Sequence, residues 1–228
     1  MIAIYRIIAY FGLASIFGTM LYGFRYDVGA PISNLYWDIG LYVAYITPHL
    51  VMTRGWFKWA LWGKSGGSLA ERRVYITVSS VTWLFVFAIQ RPLPGPAVSA
   101  PEWLQFAGVL GFLLAMRSFF EGSTIPMLDG LFGMPGSTMS HSHGEETPLL
   151  TEGPYARVRH PHYQAVVLAC AASLLIHPHA AQLLWAAMIA LTFILFIPIE
   201  EQQLLTARGQ AYRDYQTRTP YRLFRGVW

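Results

Sequence analysis

Six apolar segments divide the chain, at roughly 2–24, 35–52, 74–89, 103–120, 163–176 and 182–199. Most approach the ~17–25 residues that cross the hydrocarbon of a bilayer. Backbone groups find no water there, so segments of this kind are expected to be helices. The pattern predicts an all-α integral membrane fold with about six transmembrane helices. The fifth segment is short enough to be partly embedded. The turn signal His177-Pro178-His179 separates the last two segments and predicts a C-terminal helical hairpin. Two connections are long. One follows the second segment, and the other runs from Glu121 to His162, rich in Gly, Pro, Ser and His. Loops of that length are functional or disordered. No internal repeat is visible. The chain reads as a single membrane domain, residues 1–228, with a four-helix part (1–120), a loop (121–162) and a hairpin with an interfacial tail (163–228).

Composition agrees with the pattern. Hydrophobic residues make up 54% of the 228, charged residues 12%, and mean hydropathy is +0.39. Soluble domains carry about a quarter charged residues. Half that fraction leaves too little polar surface to cover a globule of this size, so lipid is the expected partner of the remainder. Aromatic residues, at 15%, suit interfacial Trp and Tyr belts. The net charge of +4 is not gathered into one stripe, which excludes a nucleic-acid surface. It marks topology instead. With both termini cytoplasmic and six crossings, fourteen Lys and Arg residues fall on the cytoplasmic side and only Arg25 and Arg91 on the other. Cys170 is the single cysteine, so no internal disulfide is possible. The first apolar stretch is longer than the ~7–15 residue core of a cleaved signal.

The stretch with the most chemistry is Gly153-Pro154-Tyr155, then Arg159-His160-Pro161 and Tyr163. Pro161 suits the first residue of a helix, where a missing N–H costs nothing. His160, before a proline, is pushed out of helical geometry and into the cap position. The free N–H groups of such a helix start, with Arg159 beside them, attract a carboxylate. The second piece is Glu200-Glu201 at the end of the sixth segment, where adjacent carboxylates border hydrocarbon. They suit an ammonium, a sulfonium or ribose hydroxyls. A hairpin turning near residue 178, at ~1.5 Å rise per residue, returns Glu200 to the depth of His160. The two pieces then flank one cytoplasmic pocket, and S-adenosylmethionine carries both kinds of group. The tail continues through residues 202–215 with a helical apolar face, which Gly209 interrupts and Pro220 ends.

Gly-Pro-Tyr, Arg-His-Pro-x-Tyr, the hairpin, Glu-Glu, then Gly209-x-x-Tyr212-x-x-Tyr215 and Pro220-x-Arg222 resemble the isoprenylcysteine carboxyl and phospholipid methyltransferase superfamily. The resemblance spans Thr151 to Arg222. It implies an S-adenosylmethionine-dependent methyltransferase with cofactor contacts on Tyr155, Arg159, His160, Tyr163, Glu200 and Glu201. The N-terminal half resembles the methanethiol S-methyltransferase and nurim branch through Asp38-x-Gly40-Leu41, Pro48-His49-x-Val51-Met52-x-Arg54 with Phe57-Lys58, Glu71-Arg72-x-x-Tyr75 and Arg91-Pro92. It departs from that branch in two places. Pro48-His49-Leu50 stands where Gln-His-Ser is usual, and Phe-Asp-Leu-Phe-Gly is only echoed by Leu128-Asp129-Gly130-Leu131-Phe132-Gly133.

The resemblance implies attack on a sulfonium methyl by a small thiol or other lipophilic acceptor. Glu201 and Arg222 are candidates for orienting that acceptor, and no general base is evident. Prenylcysteine carboxylate and lipid amines are alternative acceptors. A non-catalytic nurim-like scaffold and a sterol-reductase-like enzyme are readings of other classes. Several residues carry two readings. His49 either lines the substrate cavity or bonds within the bundle. Glu200 and Glu201 either face the cofactor or open the solvated part of a helix, pairing with Arg208. His141, His143, Glu145 and Glu146 are expected to belong to a solvated loop, not a metal site. His177 and His179 are expected in the turn, and Asp38 is expected as an interfacial anchor.

Overall fold

In the computed structural model, residues 2–63, 69–96, 98–121 and 149–228 are described. The helices are α1 (Ile2–Tyr22), α2 (Ser33–Met52), α3 (Gly55–Trp62), α4 (Leu69–Ile89), α5 (Glu102–Glu121), α6 (Pro161–Ile176), α7 (Ala180–Arg208) and α8 (Gln210–Arg218), with a 3-10 turn at Gly153–Ala156. The isolated bridge between Tyr26 and Leu93 is the one β pairing among the described residues. Three helices are long and apolar enough to cross a membrane: Ala70–Ile89, Glu102–Glu121 and Ala180–Arg208. Two more, Ile7–Tyr22 and Pro161–Ile176, are apolar but shorter. Their outer faces are apolar too, with Phe11, Phe85, Phe106, Leu110, Leu183 and Leu195 all exposed. Helices that are apolar all round belong in lipid.

Two interfaces bring backbones close through small residues. A Cβ on Gly12 of α1 would collide with Ser80 of α4. A Cβ on Gly108 of α5 would lie 2.8 Å from Ile176 Cγ1 and 3.0 Å from the Ala172 carbonyl of α6. Ala165, Ala169 and Ala172, buried on α6, continue that small-residue seam. α6 also packs on α7, and α2 on α4.

The core is aromatic. Trp185 of α7 is wholly buried, stacks on Phe24 at 4.8 Å and meets Tyr42 and Trp83 edge-on. Asp38 is wholly buried as well, and is not an interfacial anchor. Its carboxylate accepts the Arg91 N–H at 3.0 Å and the Trp185 indole N–H at 3.3 Å. A buried carboxylate is tolerable only when its oxygens find donors, and these two come from elements distant in sequence.

The hairpin forms where the turn signal predicts it. His177 Nε2 lies 2.7 Å from the Leu21 carbonyl, and His179 Nδ1 accepts the Gln182 N–H at the start of α7. α7 differs from the expected sixth segment in its length. It runs as one helix through Glu200 and Glu201 to Arg208, so both acids lie inside a continuous helix. Gly209, at φ +53°, breaks it, because a left-handed backbone favours glycine. The stretch after α2, read as a loop, holds the helix α3. His141, His143, Glu145, Glu146 and the 128–133 motif lie outside the described residues. Among the described residues no His, Cys, Asp and Glu group suits a metal ion.

Candidate functional site

The site begins at the N-terminus of α6. Pro161 is its first residue and His160 its cap, at φ −124° and ψ 63°, outside the helix as the proline demands. The preceding strip of chain is sewn to the tail. The Arg159 N–H donates to the Tyr221 carbonyl and the His160 N–H to that of Arg222. Gln164 Nε2 donates to the Leu223 carbonyl at 2.6 Å. Arg159 Nη1 donates to the carbonyls of Thr219 at 2.8 Å and Pro220 at 2.7 Å. The stop at Pro220 therefore places Arg222 beside the end of α7.

Glu201 closes the cluster. One oxygen accepts Arg159 Nε at 2.7 Å and faces His160 Nε2 at 3.2 Å, and the other accepts Arg222 Nε at 3.0 Å. Its side chain is 4% exposed. His160 also turns Nδ1 towards Glu200, at 3.5 Å. An imidazole with a carboxylate at each nitrogen donates to both only as imidazolium. Burial depresses the His160 pKa, but the bonds and charges of Glu200 and Glu201 outweigh it, and the net direction is upward. The His160 ring stacks on Tyr163 at 5.4 Å.

Tyr155 joins at the rim. Its hydroxyl meets His162 Nδ1 at 3.0 Å, and its carbonyl accepts the Tyr215 hydroxyl at 2.8 Å. Burial pushes the Tyr215 phenol up to about 12. The Tyr212 hydroxyl is buried with no hydrogen-bond partner among the described residues.

A cavity of about 280 Å³ opens beside the cluster. Tyr163 of α6 and Glu200 of α7 belong to its wall, and so do Tyr42, Tyr45 and His49 of α2 and Tyr75 of α4. Glu200 and Glu201, adjacent in sequence, thus do different things. Glu200 looks into the cavity, while Glu201 is enclosed by three cationic side chains. Two of the wall helices carry an internal proline nearby, Pro48 in α2 and Pro198 in α7, and each proline removes one N–H from its ladder.

The structure brings together Arg159, His160, Tyr163, Glu200, Glu201 and Arg222, with Tyr155 attached through Tyr215. His49 stands apart from that cluster but shares its cavity. Sequence reasoning missed Tyr42, Tyr45 and Tyr75. The first two and His49 fall at spacings of three and four, one face of a helix, which is a signal that was present.

The phospholipid methyltransferase family profile matches residues 103–210. Methanethiol S-methyltransferase 2 of Bradyrhizobium diazoefficiens is 30% identical over 211 residues, covering 85% of this chain and 76% of the relative. Methanethiol S-methyltransferase of Crocosphaera subtropica is 26% identical over 198 residues, covering 83% and 74%. Methanethiol S-methyltransferase 1 of Bradyrhizobium diazoefficiens is 30% identical over 190 residues, covering 78% and 62%. No solved structure matches the chain.

Proposed function

Since this chain belongs to the isoprenylcysteine carboxyl and phospholipid methyltransferase superfamily, with methanethiol S-methyltransferases among its relatives, we propose that it methylates a small thiol from S-adenosylmethionine within a membrane. The observation that carries this reading is the double membership of Tyr163 and Glu200. Both touch the His160 neighbourhood, and both form the cavity wall. A donor held at the cluster would present its methyl group to an acceptor in the cavity.

The residues fit that donor. It bears a carboxylate, an ammonium, a sulfonium and ribose hydroxyls, and its bound form supplies a methyl group already activated for displacement. Glu200 offers a carboxylate on the cavity wall to the cationic groups. The first turn of α6 offers N–H groups and partial positive charge to the carboxylate. The Tyr212 hydroxyl, without a hydrogen-bond partner among the described residues, is suited to a polar group of the ligand. Tyr155, Arg159, His160, Tyr163, Glu200 and Glu201 hold the donor in this reading. Glu201 acts through the cations it gathers, keeping Arg159, His160 and Arg222 in register. Arg222 and Glu201 orient the acceptor side of the cluster, and His49 lines the acceptor's cavity.

Aromatic rings and isoleucine side chains line most of that cavity, which suits a small lipophilic thiol. Excluding water there strengthens a thiolate, and alignment with the donor supplies much of the acceleration. The basic-residue asymmetry supports both termini and this pocket on the cytoplasmic side, with α1, α2, α4, α5, α6 and α7 as six crossings.

The test is a titration with S-adenosylmethionine in detergent and in lipid nanodiscs, followed by labelled donor with a panel of acceptors. Saturable binding that Glu200→Gln weakens, with transfer to methanethiol or a similar small thiol, is the expected result. Transfer only to a prenylcysteine or a lipid amine would reassign the acceptor. Absence of binding in both media would reject the reading.

A further inference from the structure

His49 is 7% exposed and lies on the wall of the cavity. Its Nδ1 sits 2.9 Å from the Tyr45 carbonyl oxygen, one helical turn earlier. A carbonyl can only accept, so Nδ1 carries the hydrogen. In the neutral ring Nε2 is then a bare lone pair. That atom is buried and has no hydrogen-bond partner among the described residues. The ring is held between Tyr45, at 4.3 Å, and Tyr75, at 5.5 Å. Helix α2 thus presents one oriented, unused acceptor at the wall of a largely apolar chamber.

The geometry points to His49 Nε2 as the base that takes the proton from the acceptor thiol. This inference rests on the thiol methyltransferase reading above and adds the residue that reading lacks. The thiol S–H bond breaks and its proton passes to Nε2, leaving the electron pair on sulfur. That pair forms the new S–CH3 bond as the donor's C–S+ bond breaks, and its electrons stay on the donor sulfur as a thioether. The imidazolium returns its proton to water once the products have left. Positive charge moves from sulfonium to imidazolium, so the low-dielectric chamber never holds an uncompensated thiolate.

The other ionisable groups facing this chamber are Tyr42 and Tyr45 of α2, Tyr75 of α4, Tyr163 of α6 and Glu200 of α7. Glu200 already faces the His160 imidazolium, and a carboxylate is intrinsically a weaker base towards a thiol than an imidazole is. The phenols carry their own protons and act as donors at neutral pH.

His49→Asn tests the assignment, because the Asn amide nitrogen can replace Nδ1 in the bond to Tyr45 while nothing replaces Nε2. The expected variant binds S-adenosylmethionine as the wild type does, and its kcat with methanethiol is lower by about 10²–10⁴-fold at neutral pH. That deficit shrinks about tenfold per pH unit as the free thiol ionises by itself. A second measurement needs no turnover. In 15N-histidine-labelled wild-type protein, the Nε2 resonance absent from His49→Asn should move from the unprotonated towards the protonated range when thiol is added without donor. A kcat within tenfold of wild type, a deficit equal at every pH, or an unmoved Nε2 resonance would overturn the inference. Loss of donor binding by the wild type itself would instead overturn the parent reading.

Discussion

Glu201 and Arg159 form an ion pair of 2.7 Å with side chains 4% and 6% exposed, joining the C-terminal part of α7 to the segment that starts α6. Such a pair is stable only when its remaining oxygens and N–H groups are also satisfied. Here they are, through His160, Arg222 and the tail carbonyls of Thr219 and Pro220. The pair therefore fastens three separate pieces of chain around the site.

Glu201→Gln keeps the volume and removes the charge that three cationic groups share. It should cost roughly 3–5 kcal/mol, the range for breaking a buried pair from one side. Thermal melts in detergent read this as a lower transition temperature. Glu200→Gln, with a side chain 34% exposed, should cost much less stability and act mainly on donor affinity.

The His160 clasp makes stability fall with alkalinity. Its pKa is raised on folding, so the imidazolium contributes fully below the ordinary histidine value near ~6.5 and stops contributing as pH rises through the higher folded value. Melting temperature should decline across that interval in the wild type. In His160→Asn that component of the slope should vanish, and an unchanged slope would assign it to another group.

Asp38→Ala leaves the Arg91 N–H and the Trp185 indole N–H without their acceptor. Each unsatisfied buried donor costs about 1–3 kcal/mol. The melt should shift down while S-adenosylmethionine affinity in the surviving folded protein stays near wild type, since Asp38 is not part of the cavity wall.

Gly108→Val forces α5 off α6, because even a Cβ would stand 2.9 Å from Leu175 Cβ. Overpacking of this kind costs about 1–3 kcal/mol. Gly18→Ala, where nothing lies within 4 Å of the added methyl group, is the control and should leave the melt nearly unchanged.

Much of the site was readable before any coordinates. Pro161 dictated a helix start with His160 at its cap, and the His177-Pro178-His179 turn returned the chain so that Glu200 met His160. Asp38 was misread because it follows Tyr36 and Trp37 near one end of an apolar segment, the residue types of an interfacial belt. Its partners, Arg91 and Trp185, come from other parts of the chain and leave no mark in the local pattern. The helical face through residues 202–215 and its break at Gly209 were legible, but not that this face continues the sixth apolar segment as one helix to Arg208, since polar residues after Ile199 end the apolar run without ending the helix.

By itself the sequence determined the apolar helices, the returning hairpin and the grouping of basic residues, because hydropathy, proline geometry and rise per residue are local properties. Only the tertiary structure decided what the two adjacent acids do. Consecutive helical positions differ by about 100°, and the packing of the tail against α6 turned Glu201 into the ion cluster and left Glu200 on the cavity. It also decided that His49, far away in sequence, would reach that same cavity, because helices meet through faces whose pairing no single segment encodes.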